Sequence, residues 1–229
     1  MISNASPMSQ PAGGLTAVRL AEAARYALLR RLAPSMRHHL VVNLQPIGMI
    51  YEVMDRRLKA PEPNLDEVHD SAHKINGFAK AALNSCLDVV TWLAPDEAAL
   101  TTAEAGVREC LSLVATGLTF RGYAVRNEVG NLPRQVRRSP LRNVLTALLI
   151  HATDQTSAPA DLALSAQADD GGLTLTLTLR RTEGEPTFAG ELAYRRLDWA
   201  DVEALAAAES VRLARVGNQQ LQLTIPWAA

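Results

Sequence analysis

Residues 29–54 read LRRLAPSMRHHLVVNLQPIGMIYEVM, and their spacing decides the fold of the first third of the chain. Leu29, Leu32, Met36, Leu40, Asn43, Ile47, Ile50 and Met54 follow one another in steps of three and four. Steps of that size return side chains to one face of an α-helix. Except at Asn43 the series is apolar, which is the seam of a coiled coil or a helical bundle. Pro34 and Pro46 interrupt it. Each removes a backbone donor, so a local kink or restart of the helix is expected there. The helical pattern extends from Leu15 to Lys59.

Outward from this segment, APEPN at 60–64 reads as a turn, and a second helix follows from about Leu65 to Leu93. Ile75, Phe78, Leu83, Leu87, Val90 and Leu93 supply much of its apolar face. Two long helices with a short connection make an antiparallel hairpin. One hairpin buries only one side of each helix, so pairing of two hairpins into a four-helix bundle, and hence a homodimer through residues 15–93, is expected.

Ala94-Pro95-Asp96 marks a boundary, beyond which the texture changes. The pattern predicts a helix over about Thr101–Thr119 and a strand over Tyr123–Val129. Ser139 then stands as N-cap, with Pro140 at the first position, of a helix through LRNVLTALLIHATDQ. The strands ADLALSAQA and GLTLTLTLRR come next, joined by Asp170-Gly171-Gly172. The second alternates Leu and Thr from Leu173 to Leu179, which puts leucines on one face. A helix over about Trp199–Glu209 and two final strands, SVRLARV and QQLQLTIPW, complete the pattern. The fold class is α+β: the helical hairpin over 15–94, then over 95–229 an α/β sandwich with helices on one face of a mixed sheet.

Composition narrows the function. A formal net charge of −1 over 229 residues gives no global field toward nucleic acid or anionic lipid. Arg134, Arg137, Arg138 and Arg142 are a local cluster, read as a solvated helix end in preference to a phosphate site. Cys86 and Cys110 sit in helix-like apolar stretches and read as small buried hydrophobes in a reducing compartment. Residues 1–14 are rich in Ser, Pro and Gly, lack the pattern of a signal peptide, and read as a disordered tail. No run approaches a membrane span. The expectation is a soluble, cytoplasmic protein with no nucleic acid and no membrane partner.

Within the hairpin, the stretch His38-His39-Leu40-Val41-Val42-Asn43-Leu44-Gln45-Pro46-Ile47 carries the chemistry. On a helical wheel His38 points nearly opposite the seam, beside Gln45 and Glu52, while His39 borders it. A free imidazole, with an ordinary pKa near about 6.5, is largely a neutral nucleophile at pH 7. The bland reading of His38 is a surface residue. His69 and His73, one turn apart, lack the third ligand and the intervening Glu of the usual metal motif, so no metal site is assigned.

This layout resembles the core of bacterial two-component sensor histidine kinases, over roughly residues 15–229. Those have a phospho-accepting hairpin followed by a Bergerat-type ATPase domain. Common kinases carry a motif of the form H-E-L-R-T-P-L, and a second class one like H-R-V-K-N-N-L-Q. With His38 on the acceptor, Leu40 and Leu44 take the apolar positions, and Asn43, Leu44 and Gln45 match the N-L-Q. His39 takes the Glu or Arg position, and the proline of the common motif falls at Asn43, three residues before Pro46. The resemblance implies His38 as phospho-acceptor with His39 as second choice, and Arg37, Gln45 and Glu52 as partner contacts.

The second domain departs from an active kinase. Where the family carries N-L-L-x-N-A, this chain has Ala147-Leu148-Leu149-Ile150-His151-Ala152. The D-x-G-x-G motif corresponds to Arg180-Arg181-Thr182-Glu183-Gly184, without an Asp, and the lid stretch Phe188–Leu197 offers only Gly190. An ATP site needs a metal ligand, an adenine acceptor and phosphate-approaching glycines. The resemblance is therefore to kinase-derived histidine phosphotransferases with a degenerate ATPase-like domain. It implies no cofactor of the chain's own, response-regulator receiver domains as partners, and magnesium supplied by the receiver. Two alternatives stay open: a non-catalytic pseudokinase scaffold, and a diverged active kinase.

Overall fold

The computed structural model describes residues 12–156, 159–183 and 194–228. The chain divides into two compact units, one of residues Leu29–Glu97 and one joining residues up to Leu28 with Ala98–Ala229. The division falls inside the first helix and not at residue 15. The reason is local: Ala24, Ala27 and Leu28 are all at most 1% exposed, and Arg25 pairs with Glu209 at 3.1 Å.

Unit Leu29–Glu97 is a helical hairpin. Helix α1 (Ala12–Leu58) runs into it from the other unit, and α2 (Leu65–Leu93) returns. The helix continues through Pro34 and Pro46, so neither proline restarts it. Asn64 caps α2, its side chain accepting from the backbone N–H groups of Asp66 and Glu67 at 3.1 and 3.4 Å. The seam of α1 faces inward as expected: Leu32 and Met36 are buried, and Leu40, Asn43, Ile47, Ile50 and Met54 are half-buried. The face expected for α2 splits in two. Ser71, Ala82 and Trp92 are buried, whereas Leu83, Leu87, Val90 and Leu93 stand 54–60% exposed. Ile75 and Phe78 are half-buried on the inner side, as expected, and it is the leucines that point outward.

The other unit is an α/β sandwich. Its elements are β1 (Leu100–Thr102), α3 (Ala103–Phe120), β2 (Tyr123–Asn127), β3 (Gln135–Arg137), α4 (Arg138–Pro140), a π-helical turn at Leu141–Leu145, and α5 (Thr146–Gln155). These are followed by β4 (Ala160–Asp169), β5 (Gly172–Arg181), α6 (Trp199–Ala208), β6 (Arg212–Val216) and β7 (Gln220–Ile225). Five strands form one sheet in the order β2-β4-β5-β7-β6. The β2–β4 pair is parallel and the others antiparallel. The short β1–β3 pair, which periodicity did not reveal, forms a separate two-stranded sheet.

The alternation in β5 works as read. Leu173, Leu175 and Leu177 are fully buried, with Leu162, Leu164, Leu223 and Ile225 on the neighbouring strands. The threonines face the half-exposed side, where Thr174 meets Thr224 at 3.0 Å. The helices cover the leucine side. Helix α3 approaches the π-helical turn so closely that a Cβ at Gly106 would collide with the Leu141 side chain.

Three local expectations are corrected. Ser139 is not an N-cap: α4 begins at Arg138 without a side-chain cap, and Ser139 Oγ instead donates to Glu209 at 2.6 Å. The arginines are not a solvated helix end. Arg138 grips Glu109 with two bonds of 2.9 and 3.0 Å, Arg142 is buried against the same carboxylate, Arg137 donates to the Glu209 carbonyl, and Arg134 lies over Trp227. Of the cysteines, Cys110 is buried but Cys86 is exposed. Burial pushes the Cys110 thiol up to about 12.

Candidate functional site

The site builds from one turn of α1. Helical spacing turns Leu40 and Asn43 inward, and this leaves His38 exposed and His39 half-buried. The two imidazole rings lie 6.3 Å apart, tilted by 51°. Below them, Asn43 Nδ2 donates to the His39 carbonyl at 3.0 Å and to Ser85 Oγ on α2 at 3.1 Å. The sequence marks Asn43 as the polar break in the seam and as part of the N-L-Q match, but it does not give the α2 partner.

Arg37, Gln45 and Glu52 are exposed, like His38. Gln45 and Glu52 follow His38 by one and two heptads on the same face. At a rise of about 1.5 Å per residue, Gln45 lies about 10 Å along the axis and Glu52 about 21 Å. Arg37 precedes His38 by one residue and projects about 100° away around the helix, and Gln45 and Glu52 are at the distance of a protein-sized partner. An exposed imidazole on a regular helix presents a nitrogen lone pair to an incoming electrophile without moving the backbone. His69 and His73 are exposed on α2, and among the described residues no three His, Cys, Asp or Glu side chains converge to hold a metal.

The positions read as lost nucleotide motifs lie in the α/β unit, on α5 and after β5. Ala147 is fully buried. His151 is 7% exposed, with Nδ1 at 2.8 Å from the Leu197 carbonyl, which makes that nitrogen the protonated donor. Leu197 N–H in turn donates to Asp154 Oδ2 at 3.0 Å. One turn of α5 thus satisfies both polar groups of the Leu197 backbone, and Leu197 itself is fully buried. Trp199 packs beside the His151 ring at 5.6 Å. Arg180 and Arg181 are exposed at the end of β5. Gly184, Gly190 and the first part of the expected lid stretch lie outside the described residues.

A second buried polar cluster was also missed by the sequence reading. Glu209, 6% exposed, accepts from Ser139 and Asn143, both at 2.6 Å, and from Arg25 at 3.1 Å. Its carbonyl accepts from Arg137 at 2.9 Å. It pins the start of α1, the α4 turn and the end of α6 together within one unit. No local pattern signals it, because its members lie up to 184 residues apart.

No protein-family model and no curated protein matches the chain. Among solved structures, the catalytic domain of histidine kinase ThkA is 12% identical over 56% of this chain and 95% of its own, with a TM-score of 0.43. A histidine kinase from Burkholderia phymatum is 17% identical, covering 88% and 98%, with a TM-score of 0.43. A bacterial phosphotransferase is 11% identical, covering 96% and 100%, with a TM-score of 0.40. These are likenesses of overall shape at low identity, and the chemistry assigned to the site rests on its own residues.

Proposed function

We propose that the chain is a two-component histidine phosphotransferase: His38 accepts a phosphoryl group from the aspartyl phosphate of one receiver domain and returns it to another. The observation that carries this reading is the exposed His38 on the hairpin, with Leu40 turned into the seam as the motif register expects; Leu44, the second apolar position of that register, instead stands 51% exposed. The neutral imidazole attacks phosphorus, the N–P bond forms, and the receiver's carboxylate leaves with the electron pair. The receiver brings the magnesium, so the step needs no nucleotide site here. Arg37, Gln45 and Glu52 are assigned to meet the receiver's surface. The chain acts as a homodimer through the hairpin, with cytoplasmic receiver domains as its partners. Among the described residues no helix is long and apolar enough to cross a membrane.

The degenerate α/β unit supports this reading over an autokinase. Ala147 offers no metal ligand, and His151, standing where the family carries an asparagine, is buried with its Nδ1 on the Leu197 carbonyl. Calorimetric titration with ATP and magnesium is expected to give no binding heat. Micromolar binding would move the assignment to a diverged kinase.

The deciding experiment incubates the chain with receiver domains carrying radiolabelled aspartyl phosphate. Acid-labile label is expected on the wild-type chain and on His39→Gln, but not on His38→Gln, which folds normally because its side chain is exposed. Label lost in His39→Gln and kept in His38→Gln would shift the acceptor by one residue. No label on any form would leave the scaffold reading.

A further inference from the structure

Two cross-ties of the same construction join the hairpin's helices. On α2, Ser85 Oγ donates back to the Ala81 carbonyl at 3.1 Å, and Ser71 Oγ donates back to the Glu67 carbonyl at 2.8 Å. Each hydroxyl has thereby used its only proton and presents acceptor lone pairs to α1. On α1 the facing groups are both donors. Asn43 Nδ2 reaches Ser85 Oγ at 3.1 Å, and Arg57 Nη1 reaches Ser71 Oγ at 3.3 Å, with Arg57 Nε also on the Glu67 carboxylate at 3.0 Å. The donors are residues 43 and 57 and the acceptors 85 and 71, so each pair is 14 residues apart, in opposite chain directions. That is two heptads, or about 21 Å of helix, and both ties belong to one antiparallel register.

The rest of the inner face, Ile75, Phe78, Ala82, Val89 and Trp92, is apolar. Apolar contacts are non-directional, so the two ties are the polar pairings in it that a slip must break. The ties penalise every slip. Sliding α2 by one turn sets Asn43 against Ala81 and Ala82, or against Asp88 and Val89. Sliding it by a heptad sets Asn43 against Phe78 or Trp92. Both ties break together in each case, leaving a half-buried amide and a back-bonded serine unpaired. A single polar position in an apolar seam has this specifying effect in coiled coils.

Resting on the phosphoacceptor reading of His38, we infer that Asn43 and Ser85 are positioning residues for the phosphoryl acceptor. Both amide protons of Asn43 are used: one holds the His39 carbonyl, the other the α2 hydroxyl. The turn that carries His38 is therefore tied to α2 at a set height. The Arg57–Ser71 tie sets the same register from the far end, next to the loop. Any receiver that touches both helices then meets His38 at one fixed place.

Two measurements on the full chain test this. The first is a double-mutant cycle between Asn43→Leu and Ser85→Ala, read in the denaturant midpoint. The register tie requires that the double variant lose no more than the larger single loss; additive effects overturn it. The second is label transfer from the phosphorylated receiver as a function of receiver concentration. Ser85→Ala and Asn43→Leu are expected to lower the saturating rate by roughly ten- to a hundredfold, the upper figure being about what a 1 Å misplacement can cost. The half-saturating receiver concentration should stay unchanged. Ser85→Thr, which keeps the hydroxyl, should restore the rate. An unchanged saturating rate in Ser85→Ala, or failure of Ser85→Thr to rescue, overturns the positioning role. A wild-type chain that takes no label overturns the phosphoacceptor reading and the positioning role with it, while the cycle still decides the register.

Discussion

The two units treat their apolar side chains differently. Among the described residues, the hairpin exposes twelve large apolar side chains, from Val41 to Leu93, whereas the other unit exposes seven: Leu15, Val18, Leu20 and Tyr26 on the start of α1, and Leu100, Phe120 and Val216 in its α/β part. The α/β unit is complete in one copy: its sheet hides one face under helices, and α5 is buried almost all round. The hairpin is not complete. Its α2 carries Leu83, Leu87 and Val90 on a single outward stripe, each more than half exposed among the described residues. In the proposed homodimer a second hairpin would meet this stripe with its own copy.

The largest effect should come from breaking the incomplete side. Full burial of a leucine contributes about 1.5–3 kcal/mol, and a twofold axis uses each position twice. A Leu87→Asp change is therefore expected to weaken the dimer by roughly two to four powers of ten, leaving the circular dichroism of the α/β unit intact. Light scattering that finds the wild-type chain monomeric at micromolar concentration would remove the basis of the comparison.

The complete side should break differently. Leu175→Ala, at a fully buried position between β4 and β7, is expected to destabilise the α/β unit by about 2–5 kcal/mol. Dimerisation should not change. Denaturant unfolding followed beside sedimentation separates the two; a coupled loss of both would mean that the units do not fold independently. Removing a charge partner sharpens the same contrast. Glu109→Ala leaves Arg142 buried and Arg138 half-buried without their shared carboxylate. The cost should be about 2 kcal/mol, below the roughly 3–5 kcal/mol of a fully buried pair, because Glu109 keeps some solvent contact.

Legibility followed the same division. The seam of α1 and the Leu–Thr alternation of β5 were plain, because a strong period of 3.6 or 2 survives any tertiary context. On α2 the period identified apolar residues but not which of two faces each belonged to. The inner face mixes Ser71, Ala82 and Ser85, whose hydropathy signal is weak, with Ile75, Phe78, Val89 and Trp92, so apolarity alone does not separate it from the leucines of the outer side. Ser139-Pro140 carried the local signature of a helix start, and Glu209, 70 residues away, captured the hydroxyl instead. Cys86 lies on the flank of α2 that small residues leave open. At the candidate site, exposure of His38 could be read from the wheel. The Asn43–Ser85 tie could not, since it joins residues 42 apart whose pairing depends on the register itself.

The smallest expected effect concerns the entry to α6, where the α/β unit meets solvent. Asp201 closes a capping box with Asp198, its Oδ2 accepting from the Asp198 N–H at 2.9 Å. Arg195 holds both of its oxygens, at 2.7 and 2.8 Å. The Arg195 guanidinium, and after it the Asp198 N–H, holds the Asp201 carboxyl below its ordinary value of 3.8, against the opposing push of burial. The folded state therefore binds this proton more weakly than the unfolded state does. The stabilisation is fully present above pH 3.8 and is lost as the pH falls through the lower folded value. Arg195 is largely exposed, so the gain is that of a surface ion pair, below about 1 kcal/mol. The local signature is sharper than the global one. The Asp198 amide should show slowed hydrogen exchange above pH 4 that is lost in Asp201→Ala, with the hairpin's amides unchanged. An Asp198 amide equally slow in Asp201→Ala would show that the box does not hold this helix end.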